Sequence, residues 1–309
     1  MQTQVLTVGT AALLLVPPLF WAGNAIVGRL ATALISPITL NFLRWVVAFF
    51  ILLVMAWTVL RPRSALWTTL WRHWRRYALL GLLGVGLYNT FQYLALKTTT
   101  PMNVTLVAAS APVFMLLIGK MFFGQGISSR QIAGAMLSIV GVLVVLSRGD
   151  WATLAQLRLL PGDVYILIAT LAWSWYSWLL MQNTDPPAIR GHWATFLMAQ
   201  MVCGLAWSGL FAAGEWAWTP DAHFVWGWPL VAVLLYVALC PAILAYRCYG
   251  LGIQRVGPTM AAFFTNLTPL IAAVLSAAFL GELPRLYHGL AFVLIVGGIW
   301  VGSAKSGKA

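Results

Sequence analysis

The chain has 309 residues, of which 61% are hydrophobic and 8% are charged, and its mean hydropathy is +0.89. A soluble globular domain carries roughly 25% charged residues, so this composition excludes a fold whose surface faces water throughout. The net charge of +12 would suggest nucleic acid in a soluble protein. Here basic residues that keep helix ends in the cytoplasm explain the excess, and no nucleic-acid partner is expected.

Long apolar runs predict transmembrane helices, because about 20 apolar residues match the hydrocarbon thickness of a bilayer. Backbone groups in lipid must be paired within the segment, which favours helices, and the uniform runs do not suit a membrane barrel. Ten segments are predicted, at 5–28, 37–60, 77–96, 101–121, 130–147, 163–181, 193–214, 228–252, 258–280 and 286–304. The first is interpreted as a retained helix, since its apolar run is too long for a signal peptide. The predicted fold class is all-α integral membrane, with the lipid bilayer as a partner.

The positions of the basic residues predict the orientation. With ten helices and a cytoplasmic amino terminus, most Lys and Arg residues fall on the cytoplasmic side, as the positive-inside rule favours. An odd number of helices would place Lys305 and Lys308 outside. We therefore expect a multi-pass protein of the inner (plasma) membrane with both termini in the cytoplasm.

The second half of the chain repeats the first at an offset of 157 residues. When 88–147 is placed against 245–304, the special backbone residues align: Pro101 with Pro258, Pro112 with Pro269, Gly124 with Gly281 and Gly141 with Gly298. Prolines in register are harder to explain by apolar composition than leucines are. The sequence predicts two repeats of five helices, 1–150 and 151–309. Because five is odd, the second repeat enters the membrane from the opposite side, an arrangement typical of transporters.

Three stretches resemble motifs of a known family. VGPTMAAFFTNLTPLIAAVLSAAFLGELPRLYHGLAFVLIVGGIWVGS (256–303) resembles the helix 9 to helix 10 signature of EamA-type members of the drug/metabolite transporter superfamily. FWAGNAIVGR (20–29) resembles the first-helix motif of these proteins, and NFLRWVVAFF (41–50) resembles their second-helix arginine motif. The resemblance covers essentially the whole chain and implies a ten-helix transporter whose helices 1, 3, 4, 6, 8 and 9 surround the substrate cavity. Similar proteins export amino acids, including aromatic ones, and other metabolites.

Polar and aromatic residues inside the apolar segments predict the substrate cavity, because polar groups in a membrane are costly. Asn24 lies one turn after Trp21, and an offset of 152 pairs these two with Tyr176 and Trp173. Tyr88 and Gln92 share a face of the third helix. The complete set of predicted small-molecule contacts is Trp21, Asn24, Tyr88, Gln92, Asn103, Ser110, Trp173, Tyr176, Tyr246, Tyr249, Phe263 and Asn266.

Two basic residues lie within predicted helices. Arg44 belongs to the second-helix motif and would either bind an anion or carboxylate or complete a structural network. Arg247 would either hold a substrate carboxylate or extend to the inner surface, and the second interpretation is favoured. No Asp or Glu lies well inside a predicted helix, which favours a neutral or zwitterionic solute and facilitative or weakly coupled transport.

Other functions are less well supported by the sequence. It contains no HExxH motif and no phosphate-binding loop, so an enzyme is not predicted. The three cysteines form no CxxC pair, so neither a metal site nor a cofactor is expected. The alternatives are an exporter of drugs or cationic compounds, an anion transporter, a channel and a membrane-embedded lipid enzyme. Since one chain contains both repeats, a monomer can build the pathway, and a dimer is also compatible.

Overall fold

The structure, a computed structural model, describes residues 6–56, 66–155, 157–280 and 285–303. Within these ranges ten helices are long and apolar enough to cross a membrane. They are α1 (Val8–Ala31), α2 (Pro37–Met55), α3 (Trp74–Thr98), α4 (Pro101–Ala109 and Ala111–Phe123), α5 (Ser129–Leu146), α6 (Pro161–Met181), α7 (Trp193–Trp218), α8 (Trp228–Val256), α9 (Pro258–Thr265 and Thr268–Leu280) and α10 (Leu286–Ser303). The predicted all-α fold with ten transmembrane helices is confirmed.

The helix boundaries differ from the predicted segments in a few places. Short helices at Leu66–Arg72, Ala152–Ala155 and Pro187–Arg190 lie in the connections. Helix α7 continues past the predicted end at 214 to Trp218, so that Glu215 lies in its last turn and is buried. The predicted end at 214 would leave Glu215 outside the helix, so this boundary is corrected. Three predicted segments, 5–28, 37–60 and 286–304, each extend into residues outside the described ranges.

Among the described residues, four helices are interrupted, and the interruptions recur in the two halves. A π-helical segment occupies Leu82–Leu87 in α3, and another occupies Ala238–Leu244 in α8. Such wide turns inside an α-helix are rare and frequently lie at functional sites. Helices α4 and α9 break just before a proline, Pro112 and Pro269 respectively. Each proline lacks the N–H that would continue the preceding helix, and it fits the first turn of the next one.

Helices α5 and α10 pack against each other along their length. A Cβ atom added to Gly134 would lie 2.6 Å from the Gly298 carbonyl oxygen, and one added to Gly298 would lie 2.7 Å from the Gly134 carbonyl oxygen. Such backbone contact requires glycine at both positions. Small residues provide this close approach in membranes, where there is no hydrophobic driving force between helices.

Asp185 ties together the helix ends on one side of the bundle. It accepts hydrogen bonds from Arg76 Nε (2.6 Å), Arg190 Nη1 (2.7 Å) and Tyr77 Oη (3.2 Å). The carboxylate is fully buried, whereas the two arginine side chains remain 17% and 14% exposed. This side is called the Asp185 end below, and the orientation predicted from the basic residues would place it in the cytoplasm.

Glu215 ties together the helix ends on the opposite side, called the Glu215 end below. Its carboxylate accepts hydrogen bonds from the backbone N–H groups of Thr39 (2.7 Å) and Ile38 (3.2 Å) at the start of α2. It also lies 3.5 Å from Lys97 Nζ. The first N–H groups of a helix have no partner within the helix and carry a partial positive charge, so a carboxylate is stabilised there.

Candidate substrate site

Six aromatic side chains from four helices form one group, called the aromatic cluster below. Its members are Trp21 from α1, Tyr88 from α3, Trp173 and Tyr176 from α6, and Tyr246 and Tyr249 from α8. Trp173 is central, because its ring centroid lies 4.6–5.5 Å from the centroids of the other five rings. These separations are within the range in which aromatic pairs attract each other. All six residues belong to the set that the sequence predicted.

Backbone carbonyls of the two π-helical segments orient two of these rings. Tyr246 Oη donates to the Gly84 carbonyl oxygen (2.6 Å), and Trp21 Nε1 donates to the Pro241 carbonyl oxygen (3.2 Å). Gly84 and Pro241 are 157 positions apart, so they are equivalent under the sequence offset. The irregular turns of α3 and α8 therefore serve the same purpose in both halves, which is to present a carbonyl to a ring of the cluster.

Side-chain hydrogen bonds fix the other polar atoms of the cluster. Trp173 Nε1 donates to Tyr249 Oη (3.0 Å), which is also 3.0 Å from Ser177 Oγ. Tyr176 Oη donates to Gln200 Oε1 on α7 (2.9 Å). Trp173, Tyr176, Tyr246 and Tyr249 are each at most 7% exposed, so a solute reaches them only when the rings move.

A pocket at the Asp185 end leads to the aromatic cluster. Its lining includes the buried side chains of Tyr176, Gln200 and Tyr246, together with Trp193 and Arg247 closer to the surface. The Arg247 guanidinium is exposed and lies 4.2 Å from the centroid of the Trp193 ring. Arg247 thus lies at the mouth of the pocket.

Two predicted residues lie one turn away from the cluster. Asn24 follows Trp21 by one turn of α1, and its Oδ1 atom is buried without a hydrogen-bond partner. Gln92 follows Tyr88 by one turn of α3 and is partly buried. A buried acceptor without a donor is costly, so Asn24 is a candidate for contact with a ligand.

Four predicted residues lie outside the aromatic cluster. Asn103 is at the start of α4, where its Nδ2 donates to the Asp163 carboxylate (2.9 Å). Ser110 Oγ donates to the Val107 carbonyl oxygen at the break in α4. Asn103 thus joins the first turns of α4 and α6, and Ser110 pairs a carbonyl group at the break in α4. These contacts explain why both residues are polar, and no bound solute is needed to explain it.

Phe263 and Asn266 pack within the α9 region. The Phe263 ring is so close to Gly302 of α10 that a Cβ there would lie 2.3 Å from it. Asn266 Nδ2 donates to the Ala109 carbonyl oxygen (3.2 Å) and to Ser138 Oγ (2.9 Å). The family resemblance implies that α4 and α9 line the cavity, but it does not determine which way each of their side chains faces.

Comparison with known proteins identifies the family. The model of the EamA-like transporter family matches residues 9–147 and again residues 160–303. The chain belongs to the EamA-like transporter family. Its two matches divide the chain close to the boundary between the predicted repeats.

Relatives of this EamA-like transporter are themselves named as transporters. An uncharacterized transporter of Archaeoglobus fulgidus is 26% identical, over 96% of this chain and 98% of the relative. A probable amino-acid metabolite efflux pump of Salmonella typhimurium is 26% identical, over 71% of this chain and 75% of the relative. An inner membrane transporter of Escherichia coli is 25% identical, over 71% and 67%. A protein of known crystal structure shares the fold, with a TM-score of 0.71 at 21% identity, over 95% of this chain and 96% of that protein.

Three side chains at the cluster of this EamA-like transporter were absent from the predicted set. The Trp45 ring on α2 is fully buried and lies 5.0 Å from the Tyr246 ring. Asn89 Nδ2 donates to Tyr246 Oη, and Gln200 accepts from Tyr176. Asn89 was recognisable, because it is the residue that the offset of 157 aligns with Tyr246. No comparable sequence signal marks Trp45 or Gln200.

Arg44 of the EamA-like transporter is buried on α2, with 3% of its surface exposed. Its Nη2 donates to Asn41 Oδ1 (2.6 Å), and its guanidinium lies 5.1 Å from the centroid of the Trp45 ring. Arg44 Nε and Asn41 Nδ2 are buried without an acceptor. Across the described ranges, no group of three or more His, Cys, Asp or Glu residues is placed to hold a metal ion.

Proposed function

We propose that this EamA-like transporter exports small metabolites, above all amino acids, including aromatic ones. The aromatic cluster carries this proposal. Its rings offer contact area to an apolar or aromatic side chain, and the unpartnered Oδ1 of Asn24 offers an acceptor to an ammonium group. The similarity to a relative named as an efflux pump for amino-acid metabolites supports the same substrate class.

Alternating access between two inverted repeats, 1–150 and 151–309, is the proposed mechanism. Contacts between α5 and α10 support it: Gly134 touches Gly298, and Gly141 touches Ala291. The offset of 157 exchanges these two contacts, because it pairs Gly134 with Ala291 and Gly141 with Gly298. Two-fold related halves produce such exchanged pairs. Because both halves lie in one chain, a monomer would suffice for this mechanism.

The proposed direction of transport is from the Asp185 end to the Glu215 end, with both termini and the Asp185 end facing the cytoplasm. The pocket beside Trp193 and Arg247 would admit the solute, and separation of the rings would pass it on. At the Glu215 end, hydrogen bonds from α2 to Glu215 and from α4 to Asp163 close the bundle. Opening this end would require these bonds to break or move together.

Coupling to protons is not part of the proposal. In the described part of the chain, the buried carboxylates Asp185 and Glu215 lie at helix ends, where they are paired or hydrogen-bonded to other helices. None belongs to the aromatic cluster. We therefore propose facilitative or weakly coupled export across the inner (plasma) membrane. Efflux that strictly requires a proton gradient would contradict this part.

An exporter of cationic drugs is the second candidate. Aromatic rings bind organic cations through their faces, and the aromatic cluster provides several. The two candidates differ in what they move, so the decisive experiment runs both substrate classes side by side.

The test uses the purified full chain in liposomes, with efflux of labelled phenylalanine, threonine and a cationic dye. Trp173→Ala removes the central ring, and Trp300→Ala, an exposed residue on α10, is the matched control. We expect saturable phenylalanine efflux that falls about tenfold or more in Trp173→Ala and is unchanged in Trp300→Ala. Movement of the dye alone would favour the second candidate. Flux that never saturates would indicate a channel and contradict the proposal.

A further inference from the structure

The hydrogen bond and the cation–π contact of Arg44 stay within its own helix. Asn41 Oδ1 accepts from Arg44 Nη2 and from Trp45 Nε1 (3.1 Å), and the guanidinium packs over the Trp45 ring. In contrast, Arg76 and Arg190 tie separate elements together through Asp185. These contacts of Arg44 therefore join α2 to no other helix and do not explain why a buried charge is kept there.

A buried guanidinium without a counter-ion is costly, and ionisable groups inside a membrane usually serve a function. Among the described residues, no carboxylate lies within ion-pair distance of Arg44. Two donors, Arg44 Nε and Asn41 Nδ2, are buried without an acceptor, and they belong to side chains that are hydrogen-bonded to each other. Since both unpaired groups donate and one carries a positive charge, the missing partner is an anion with at least two acceptor positions.

The location of these donors connects them to the aromatic cluster. The Trp45 ring contacts both Arg44 and Tyr246: its centroid lies 5.1 Å from the Arg44 guanidinium and 5.0 Å from the Tyr246 centroid, edge to face. Arg44 also lies about 10 Å along α2 from its first residue, so it is well inside the helix. A solute whose side chain lies among the rings would have its charged end directed towards this part of α2.

We propose that Arg44 Nε and Asn41 Nδ2 bind the carboxylate of the transported solute. This inference rests on the proposed function and adds the group that recognises the acid. In this structure both donors are buried, so the carboxylate reaches them only when the Trp45 and Tyr246 rings move apart. Recognition then requires a carboxylate, and an amine or amide of the same size lacks the group that these donors need.

The experiment measures binding of four probes to the purified chain through tryptophan fluorescence. Phenylalanine and 3-phenylpropionate carry the carboxylate, whereas phenylalaninamide and phenethylamine do not. Arg44→Gln removes the charge. Asn41→Asp places a permanent carboxylate beside Arg44, which would occupy the guanidinium. The control is Arg285→Gln, an exposed arginine before α10.

We expect the wild type to bind the two acids at least about tenfold more tightly than the two probes without a carboxylate. Both Arg44→Gln and Asn41→Asp should lose this preference, so that all four probes bind with similar affinity, whereas Arg285→Gln should retain it. The ratio compares probes on the same sample, so partial unfolding of a variant does not alter it. Equal binding of all four probes by the wild type would overturn the carboxylate site alone. Failure of every probe to bind would overturn the proposed function as well.

Discussion

Asn89 and Tyr246, which the 157-residue offset of the predicted repeats pairs with each other, are joined by a hydrogen bond of 3.3 Å. Both also donate to the Gly84 carbonyl oxygen. A residue that touches its own counterpart in a two-fold arrangement must lie close to the axis. The bond from Asn266 to Ala109, again 157 positions apart, is a second contact of this kind. Both contacts support an approximate two-fold axis that passes beside the aromatic cluster.

The first prediction concerns the contact between α5 and α10. Gly298→Ala should destabilise the protein by about 1–3 kcal/mol, because a Cβ there would lie 2.7 Å from the Gly134 carbonyl oxygen and the backbone cannot move aside cheaply. The measurement is the unfolding free energy in detergent. Gly289→Ala, in the same helix with no atom within 4 Å of the added Cβ, is the control and should be neutral or slightly stabilising. Equal effects of the two substitutions would contradict the packing argument.

The sequence predicted the ten helices well because their cause is local: a long apolar run must form a helix in lipid. It also predicted six rings of the aromatic cluster, since Trp21, Trp173 and the tyrosines stand out within such runs. It could not predict that Asn103, at a helix start, and Asn266, at a helix break, donate hydrogen bonds to other helices. Their acceptors are Asp163 and Ser138, which are distant in sequence. Side-chain direction is a property of tertiary packing, and residue type alone does not determine it.

The second prediction concerns Asp185. Asp185→Asn leaves Arg76 and Arg190 without their counter-charge at a partly buried site, so it should destabilise the protein by about 2–4 kcal/mol, somewhat less than a fully buried pair would cost. Thermal unfolding in detergent measures the effect. Asp221→Asn, which changes an exposed acid, should have little effect. If both variants unfold together with the wild type, the Asp185 network does not stabilise this end.

The third prediction is a pH dependence at the loop between α7 and α8. His223 Nδ1 lies 3.0 Å from the Asp221 carbonyl oxygen, and Nε2 lies 2.9 Å from the Thr32 carbonyl oxygen. The two backbone acceptors favour the doubly protonated ring and raise the pKa of His223 above 6.5, and the charges of Glu215 and Asp221 add to this. Because the pKa of His223 is raised in the folded state, the protonated ring stabilises the fold fully below pH 6.5. This stabilisation is lost as the pH rises through the pKa that His223 has in the folded protein.

His223→Gln should therefore lower the unfolding temperature most at pH values below 6.5, and the difference from the wild type should shrink at alkaline pH. Asp221→Asn is the control: its backbone carbonyl is unchanged and its side chain contributes little, so the pH dependence should persist. A His223→Gln effect of the same size at every pH would show that the ring acts only by its shape.

The fourth prediction concerns Pro241 in the π-helical segment of α8. Proline has no N–H to donate, and the Pro241 carbonyl oxygen accepts from Trp21. Pro241→Ala restores a donor, which allows α8 to tighten into a regular α-helix and to turn Tyr246 and Tyr249 relative to Trp21. We expect the variant to fold, because regular helix replaces an irregular turn, but to transport with a changed rate.

Solute efflux from liposomes and the unfolding temperature must be measured on the same preparation. The matched control is Pro229→Ala at the start of α8, where proline replaces no intrahelical hydrogen bond and alanine is tolerated. A changed efflux rate with an unchanged unfolding temperature in Pro241→Ala, and no change in Pro229→Ala, is the expected result. If efflux by Pro241→Ala equals that of the wild type, the irregular turn does not control the aromatic cluster. The carbonyls of Gly84 and Pro241 would then only hold the rings in place.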